Sequence, residues 1–115
     1  MAVVKNLNGV AATSNQTGSA MDTGSLFIKA ANIGVQVVGT GLDAADSTVT
    51  IQQSNDGTNW DYVLDSTGST FTITMASGST SQSQVLTNMS FGFLRAVYTK
   101  NTNAAGTITV TFNYV

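Results

Sequence analysis

The closing stretch TITVTFNYV, residues 107–115, decides the fold class. Its apolar side chains alternate with Thr and Asn: Ile108, Val110, Phe112 and Tyr114. Successive side chains of a strand point to opposite faces, so this period of two predicts a half-buried β-strand. The stretches STFTITM, residues 69–75, and TVTIQQS, residues 48–54, repeat the pattern and predict two further strands.

Alternating or continuous apolar runs predict strands in much of the remaining chain, at residues 3–8, 25–29, 33–39, 60–64, 82–86 and 91–99. The run 91–99 is apolar on both faces, which predicts a strand that is central in its sheet or covered on both sides. Gly, Asn, Asp and Ser clusters between the runs are typical of turns: GTGLDAADS, SNDGTN, DSTGS, ASGSTSQS and KNTNAAG. Because helical periodicity is missing, we predict an all-β fold, a single antiparallel, jelly-roll-like β-sandwich of about eight strands.

The chain of 115 residues fits one core. We predict an N-terminal strand and extended arm in residues 1–24 and a β-sandwich domain in residues 25–115. The arm is GVAATSNQTGSAMDTG, residues 9–24, which is small, polar and without periodicity. An ordinary long loop is the alternative interpretation of this stretch.

His and Cys are absent from the chain. Their absence excludes Ser-His-Asp and Cys-His catalysis, disulfides and thiolate metal sites. A two-carboxylate glycosidase remains chemically conceivable, with Asp56, Asp61 and Asp65 as its candidates. Each of these lies in or beside a predicted turn, however, where Asp bonds its own backbone. We therefore predict that the protein is not an enzyme.

Charge is sparse and dispersed. Charged residues make up 9% of the chain and the net charge is −2, against about 25% charged residues in average soluble domains. Four scattered Lys and Arg residues cannot form a basic patch that contacts several phosphates, so no nucleic-acid partner is predicted. The N-terminal residues lack the apolar segment of a signal peptide, and no apolar run reaches the roughly 18 residues of a membrane span. These features predict synthesis in the cytosol and no membrane partner.

SNDGTNW, residues 54–60, is the main candidate for a site. Its oxygens suit calcium, but it lacks the spacing and terminal Glu of an EF-hand loop, so no metal or cofactor is predicted. The Asn-Asp-Gly sequence favours a tight turn, and we expect the Trp60 indole to anchor that turn to the core. We also predict partner contacts for a larger set of residues: Asp56, Gly57, Thr58, Asn59, Trp60 and Tyr62.

Two other groups of residues have functional and structural interpretations. An aromatic platform for stacking sugar rings is the functional interpretation of four residues on predicted strands: Trp60, Tyr62, Tyr98 and Tyr114. Aromatic residues on strands more often pack within a sandwich. The carboxylates of LDAADS, Asp43 and Asp46, are most simply part of a hairpin connection between two strands.

The predicted outward faces of the strands carry Thr, Ser, Gln and Asn where soluble sheets usually carry Lys and Glu. The chain also contains no Pro to interrupt an edge strand. Neutral hydroxyl and amide groups cost less to desolvate than charges. This composition favours packing against neighbouring subunits, although a weakly charged monomer has the same composition.

The segment VQVVGTGLDAADSTVTIQQSNDGTNWDYV, residues 35–63, resembles a strand–turn–strand unit of small bacteriophage virion structural proteins. FGFLRAVYT, residues 91–99, and GTITVTFNYV, residues 106–115, are similar to later strands of the same proteins. The resemblance implies a β-sandwich virion component, of capsid decoration, minor capsid or spike-base type, with no catalytic residue. A similar turn occurs in discoidin-like carbohydrate-binding sandwiches, but this chain lacks their length and their terminal Cys pair.

These observations together predict a noncatalytic virion structural protein, most simply a capsid decoration or minor capsid protein. We expect it to form a homo-oligomer, with a trimer as the first expectation, and to contact the major capsid protein or other virion proteins. One alternative is a host-glycan-binding module of a phage spike or tail fibre, which would use Trp60, Tyr62, Asp56 and Asn59. Another alternative is a self-assembling filament subunit.

Overall fold

The computed structural model describes residues 2–22, 31–89 and 92–114. Ten strands lie in these ranges: β1 (Ala2–Ala11), β2 (Gln16–Thr17), β3 (Met21–Asp22), β4 (Ala31–Leu42), β5 (Thr48–Ser54), β6 (Asp61–Tyr62), β7 (Thr72–Thr74), β8 (Gly78–Met89), β9 (Phe93–Thr99) and β10 (Thr107–Tyr114). No helix occurs among the described residues, and hence none that could span a membrane. The strand predicted at 25–29 lies outside the described residues.

The strands form two antiparallel sheets. Sheet A has the order β1-β10-β4-β8, and sheet B has the order β2-β9-β5-β6, with β3 also beside β9 and β7 beside β5. When β2 with β3, and β6 with β7, are each taken as one interrupted strand, the order is that of an eight-stranded jelly roll. The predicted antiparallel β-sandwich is confirmed.

The core lies between the sheets and is built by the period-two strands. In sheet A, Val110 of β10 pairs with Val37 of β4, and both are fully buried. In sheet B, Ile51 of β5 pairs with Ala96 of β9, and both are again fully buried. The half-buried strand predicted at 107–115 is confirmed over β10, and β9 is central in sheet B as predicted.

Residues 2–22 contribute to both sheets. β1 forms an edge of sheet A beside β10, whereas β2 and β3 lie beside β9 in sheet B. Asn6 links the two sheets, because its Oδ1 accepts a hydrogen bond from the Ala96 N–H at 2.7 Å and its Nδ2 donates to the Ser19 carbonyl oxygen at 2.7 Å. Gly18 packs so closely here that a Cβ would stand 1.8 Å from Asn6 Oδ1.

One predicted turn was wrong. ASGSTSQS, residues 76–83, becomes strand from Gly78 onward, where β8 begins. From Thr80, opposite Gly39, to Leu86, opposite Ile33, β8 stays in unbroken register with β4. Backbone hydrogen bonding to β4 holds this polar run extended, because a ladder does not require apolar side chains.

Candidate functional site

Ser54, buried at the end of β5, closes the SNDGTNW turn from the inside. Its Oγ accepts hydrogen bonds from the N–H groups of Asp56 at 3.2 Å and Gly57 at 2.9 Å. Gly57 has a φ of 74°, which disfavours side chains with a Cβ. The ring of Phe93 lies beneath it, 3.5 Å from where a Cβ would stand. The turn therefore has a fixed, locally satisfied backbone.

The Asp56 carboxylate organises the exposed tip of the turn. Its Oδ1 accepts from the N–H groups of Thr58 and Asn59, both at 2.8 Å, and from the Ser54 hydroxyl at 2.9 Å. Its Oδ2 accepts from Asn59 Nδ2 at 2.7 Å. The backbone N–H groups of Asn59 and Thr58, followed by the side chains of Asn59 and Ser54, hold the pKa of Asp56 far below its ordinary value. Asp56 therefore stays ionised and is unsuited to act as a general acid near neutral pH.

A metal ion at this turn would have to displace the hydrogen-bond donors that already contact the Asp56 carboxylate. Both carboxylate oxygens accept hydrogen bonds from residues of the same turn. Across residues 2–22, 31–89 and 92–114, no group of three or more His, Cys, Asp and Glu side chains is placed to hold a metal ion. The arrangement is that of a self-contained turn.

Trp60 is half-buried and lies against Arg95, outside the core. The guanidinium carbon of Arg95 stands 4.0 Å from the centroid of the indole, within the range of a cation–π interaction. Arg95 Nε also donates to Gln52 Oε1 at 2.7 Å. The expectation that the indole anchors the turn to the core was wrong, because Trp60 packs on a cation at the outward face of sheet B.

We call Gln52, Trp60, Tyr62 and Arg95 the aromatic surface. Gln52 pairs with Arg95 on one side and with Tyr62 on the other, so these three residues share one row and one face. Tyr62 is 46% exposed. The aromatic surface therefore presents the exposed ring of Tyr62 together with the Trp60 indole, which is stacked on the Arg95 guanidinium.

The prediction from the sequence grouped the wrong residues on this surface. Tyr98, one of the four residues of the predicted stacking platform, is fully buried and donates its hydroxyl proton to the Ala12 carbonyl oxygen at 3.0 Å. The side chain of Tyr114 lies outside the described residues. Arg95 and Gln52 were not predicted as site residues, because only the pairing of β5 with β9 places them beside Trp60 and Tyr62.

The other carboxylates serve their own loops. Asp65 Oδ1 accepts from the Thr67 hydroxyl at 2.6 Å and the Thr67 N–H at 2.9 Å, and these bonds lower the pKa of Asp65. Asp43 Oδ1 accepts from the Ala104 N–H at 2.7 Å. Asp46 accepts from Thr102 and so joins the same two loops. The predicted hairpin connection at LDAADS was wrong, because β4 lies in sheet A and β5 in sheet B, so Asp43 and Asp46 belong to a loop that crosses between the sheets.

An open groove of about 780 Å³ lies on the outward face of sheet A. One row of side chains crosses all four strands there, from Val3 through Asn113 and Gly34 to Val85. Val3 and Val85 are each 62% exposed and form the two sides, while Gly34 leaves the middle open. No sequence pattern predicted this groove, because its row exists only once β1, β10, β4 and β8 have paired.

The aromatic surface on sheet B and the groove on sheet A are thus both suited to contacts. Comparison of the sequence with known proteins finds no matching protein-family model and no matching curated protein.

Proposed function

We propose that this protein is a noncatalytic structural protein of a virus particle, a capsid decoration or minor capsid protein that packs as a symmetric oligomer. The support from the sequence is the resemblance of residues 35–63, 91–99 and 106–115 to small phage virion proteins. Jelly rolls serve in viral capsids and in lectins, so the fold agrees with the proposal only by analogy.

The observation that carries the proposal is the sparsely charged outward face of sheet A. Among the four strands of this sheet, the only charged residue is Lys5 of β1. Two exposed Val side chains, Val3 and Val85, flank the groove on the same face. Burial of such a face against another subunit removes apolar area from water with little cost for desolvating charges. The groove is the surface proposed to meet the particle.

The use of the carboxylates agrees with a structural role. Asp56 and Asp65 accept hydrogen bonds within their own turns, and Asp43 and Asp46 join two loops. These carboxylates fix the loops at the ends of the sandwich, which gives a rigid body without disulfides. A rigid subunit loses little conformational entropy on assembly.

Co-sedimentation with virus particles tests the proposal. The particles are those encoded by the genes that neighbour the gene of this protein, and they are assembled without this protein. The native chain is expected to sediment with the particles, and Val3→Lys, which places a charge at the side of the groove, to lose that binding. Leu64→Lys is the matched control, because Leu64 is 57% exposed and lies away from the groove. A native chain that remains in the supernatant, or equal binding by both variants, contradicts the proposal.

A host-glycan-binding module is the second candidate, and the aromatic surface favours it. Tyr62 offers an exposed ring for stacking on a sugar, and Gln52 and Arg95 supply polar groups beside it. Asp56 and Asn59, expected as ligands, instead bond each other within the turn. A glycan array that gives a signal with the native chain, and none with a folded Tyr62→Ala variant, would establish this candidate. An array without signal for the native chain would remove it.

A further inference from the structure

The two edges of sheet A differ in how well they are protected from pairing. β1 shifts its register against β10 twice, between Lys5 and Leu7 and between Leu7 and Val10. It also carries the charge of Lys5, and Gly9 has a φ of 60°. Bulges and charged residues are devices by which proteins keep edge strands from adding further strands. The β1 edge is therefore a poor template for another strand.

β8, at the opposite edge, has none of these features over its regular part. Residues 80–86 run opposite β4 without a register shift, and β8 contains neither a charged residue nor Pro. Within residues 2–22, 31–89 and 92–114, no strand pairs with β8 on the side away from β4. Alternate residues of an edge strand turn their N–H and C=O groups outward, so this edge presents a straight row of unpaired backbone groups.

We propose that β8 pairs antiparallel with β8 of a second copy of this chain, about a twofold axis close to Ser83. The contact joins the two four-stranded sheets A into one continuous sheet. This inference rests on the proposed function for the expectation that the chain assembles with itself, and it replaces the expected trimer by a twofold contact.

Several features favour a second β8 over a different occupant. An isologous contact uses the same edge twice and closes, whereas pairing β8 with the interrupted β1 edge would produce an open chain. β8 is neutral along its length, so two copies meet without repulsion between like charges. Pairing over residues 80–86 supplies about six to eight backbone hydrogen bonds.

The axis near Ser83 follows from the register. Ser83 is the midpoint of the run from Thr80 to Leu86 that pairs regularly with β4. An antiparallel pair centred there places Ser83 opposite its own copy, and Val85 opposite Ser81 of the second copy. All of these side chains lie on the outward face, because they pair with Gln36, Gly34 and Val38 of β4. Small hydroxyl side chains on the axis leave room for the exposed Val85 of each copy.

Cysteine cross-linking of the full chain tests the contact. The chain has no Cys, so Ser83→Cys introduces a single thiol. Opposed Cβ atoms of an antiparallel pair stand about 4.5–5.5 Å apart, which a disulfide or a short bismaleimide can bridge. Most of the Ser83→Cys chains are expected to run as a covalent dimer on a non-reducing gel. Val3→Cys, which places its thiol at an exposed position on the β1 edge, is expected to run as a monomer on the same gel.

A charge at the axis provides a second measurement. Ser83→Lys sets two cations against each other and is expected to weaken dimerisation by tenfold or more in sedimentation velocity, whereas Val3→Lys leaves it unchanged. A native oligomer whose Ser83→Cys chains cross-link no more than Val3→Cys chains overturns the inference and leaves the proposed function standing. Cross-linking of Ser83→Cys to Val3→Cys in a mixture also overturns it, because it shows head-to-tail growth. A native chain that dimerises through Ser83 without binding particles supports the inference and contradicts the proposed function.

Discussion

Replacement of the buried Asn103 by Leu is expected to destabilise the sandwich strongly. Asn103 is fully buried between the loops at one end of the molecule. Five groups lie within hydrogen-bonding distance: the N–H groups of Asp43 (3.0 Å) and Ala44 (3.3 Å) at Oδ1, and the carbonyl oxygens of Ala12 (2.9 Å) and Ala105 (2.8 Å) and the hydroxyl of Tyr98 (3.3 Å) at Nδ2. The amide thus ties three segments of the chain together.

Leu occupies a similar volume but satisfies none of these groups. The Ala12 carbonyl oxygen keeps the Tyr98 hydroxyl as a donor at 3.0 Å, so three backbone groups lose their partner in the side chain. Each lost hydrogen bond costs about 1–3 kcal/mol when the group left behind stays buried. The three backbone groups are only partly buried, so each loss lies near the lower end of that range and the total is about 3–4 kcal/mol. With a urea m-value of about 1.5 kcal/mol/M, the unfolding midpoint falls by about 2 M.

Urea unfolding followed by circular dichroism measures this change. Tyr98→Phe is the matched control, because it removes one hydroxyl while Asn103 Nδ2 still donates to the Ala12 carbonyl oxygen, and it is expected to cost only about 1 kcal/mol. A loss below about 1 kcal/mol for Asn103→Leu would refute the assignment of Asn103 as the link between these loops.

Three further substitutions have defined outcomes. Gly106→Ala is expected to lower the Tm by about 10 °C or more, because Gly106 has a φ of 91° and a Cβ would lie 2.3 Å from a backbone carbonyl oxygen. Gly68→Ala is the control, since Gly68 has a φ of 84° but no neighbour within 4 Å, and it should lower the Tm clearly less. Asp56→Asn is expected to be less stable than the native chain at neutral pH. Because the folded-state pKa of Asp56 is lowered, that difference should shrink as the pH falls below about 4; a pH-independent difference contradicts this account. Arg95→Ala is expected to shift the emission of Trp60, the only Trp, to longer wavelength and to cost about 0.5–1 kcal/mol; unchanged emission contradicts the stacking.

The strands that the sequence predicted best are those whose side chains alternate strictly. In β10 and β5, the apolar side chains face the core and the Thr side chains face outward, so the pattern along the chain is also the pattern across the sheet. The β-sandwich followed from such stretches together with the Gly and Asn clusters between them.

Other elements depend on partners that the local sequence does not show. The polar start of β8 is extended because β4 lies beside it, and β2 and β3 are short additions to the edge of β9. Asn6 illustrates the same limit, since its amide serves the backbone of β9, ninety positions away in the sequence. A composition rich in Gly, Ser and Thr gives no signal for such long-range pairing.

The candidate site divides in the same way. The turn at residues 54–60 was predictable, because Asp56 and Gly57 act through hydrogen bonds and a positive φ that are local to it. The stacking of Trp60 on Arg95 was not predictable, since it depends on the register of β5 with β9. The groove on sheet A required the register of four strands at once.

Sedimentation of the purified chain with virus particles that are encoded by the neighbouring genes and lack this chain tests the proposed function most directly. We expect the chain to bind the particles at a fixed ratio of copies per capsid, through the sparsely charged outward face of sheet A, and we expect Val3→Lys to abolish binding while Leu64→Lys does not. A folded native chain that stays in the supernatant at every concentration would contradict the claim.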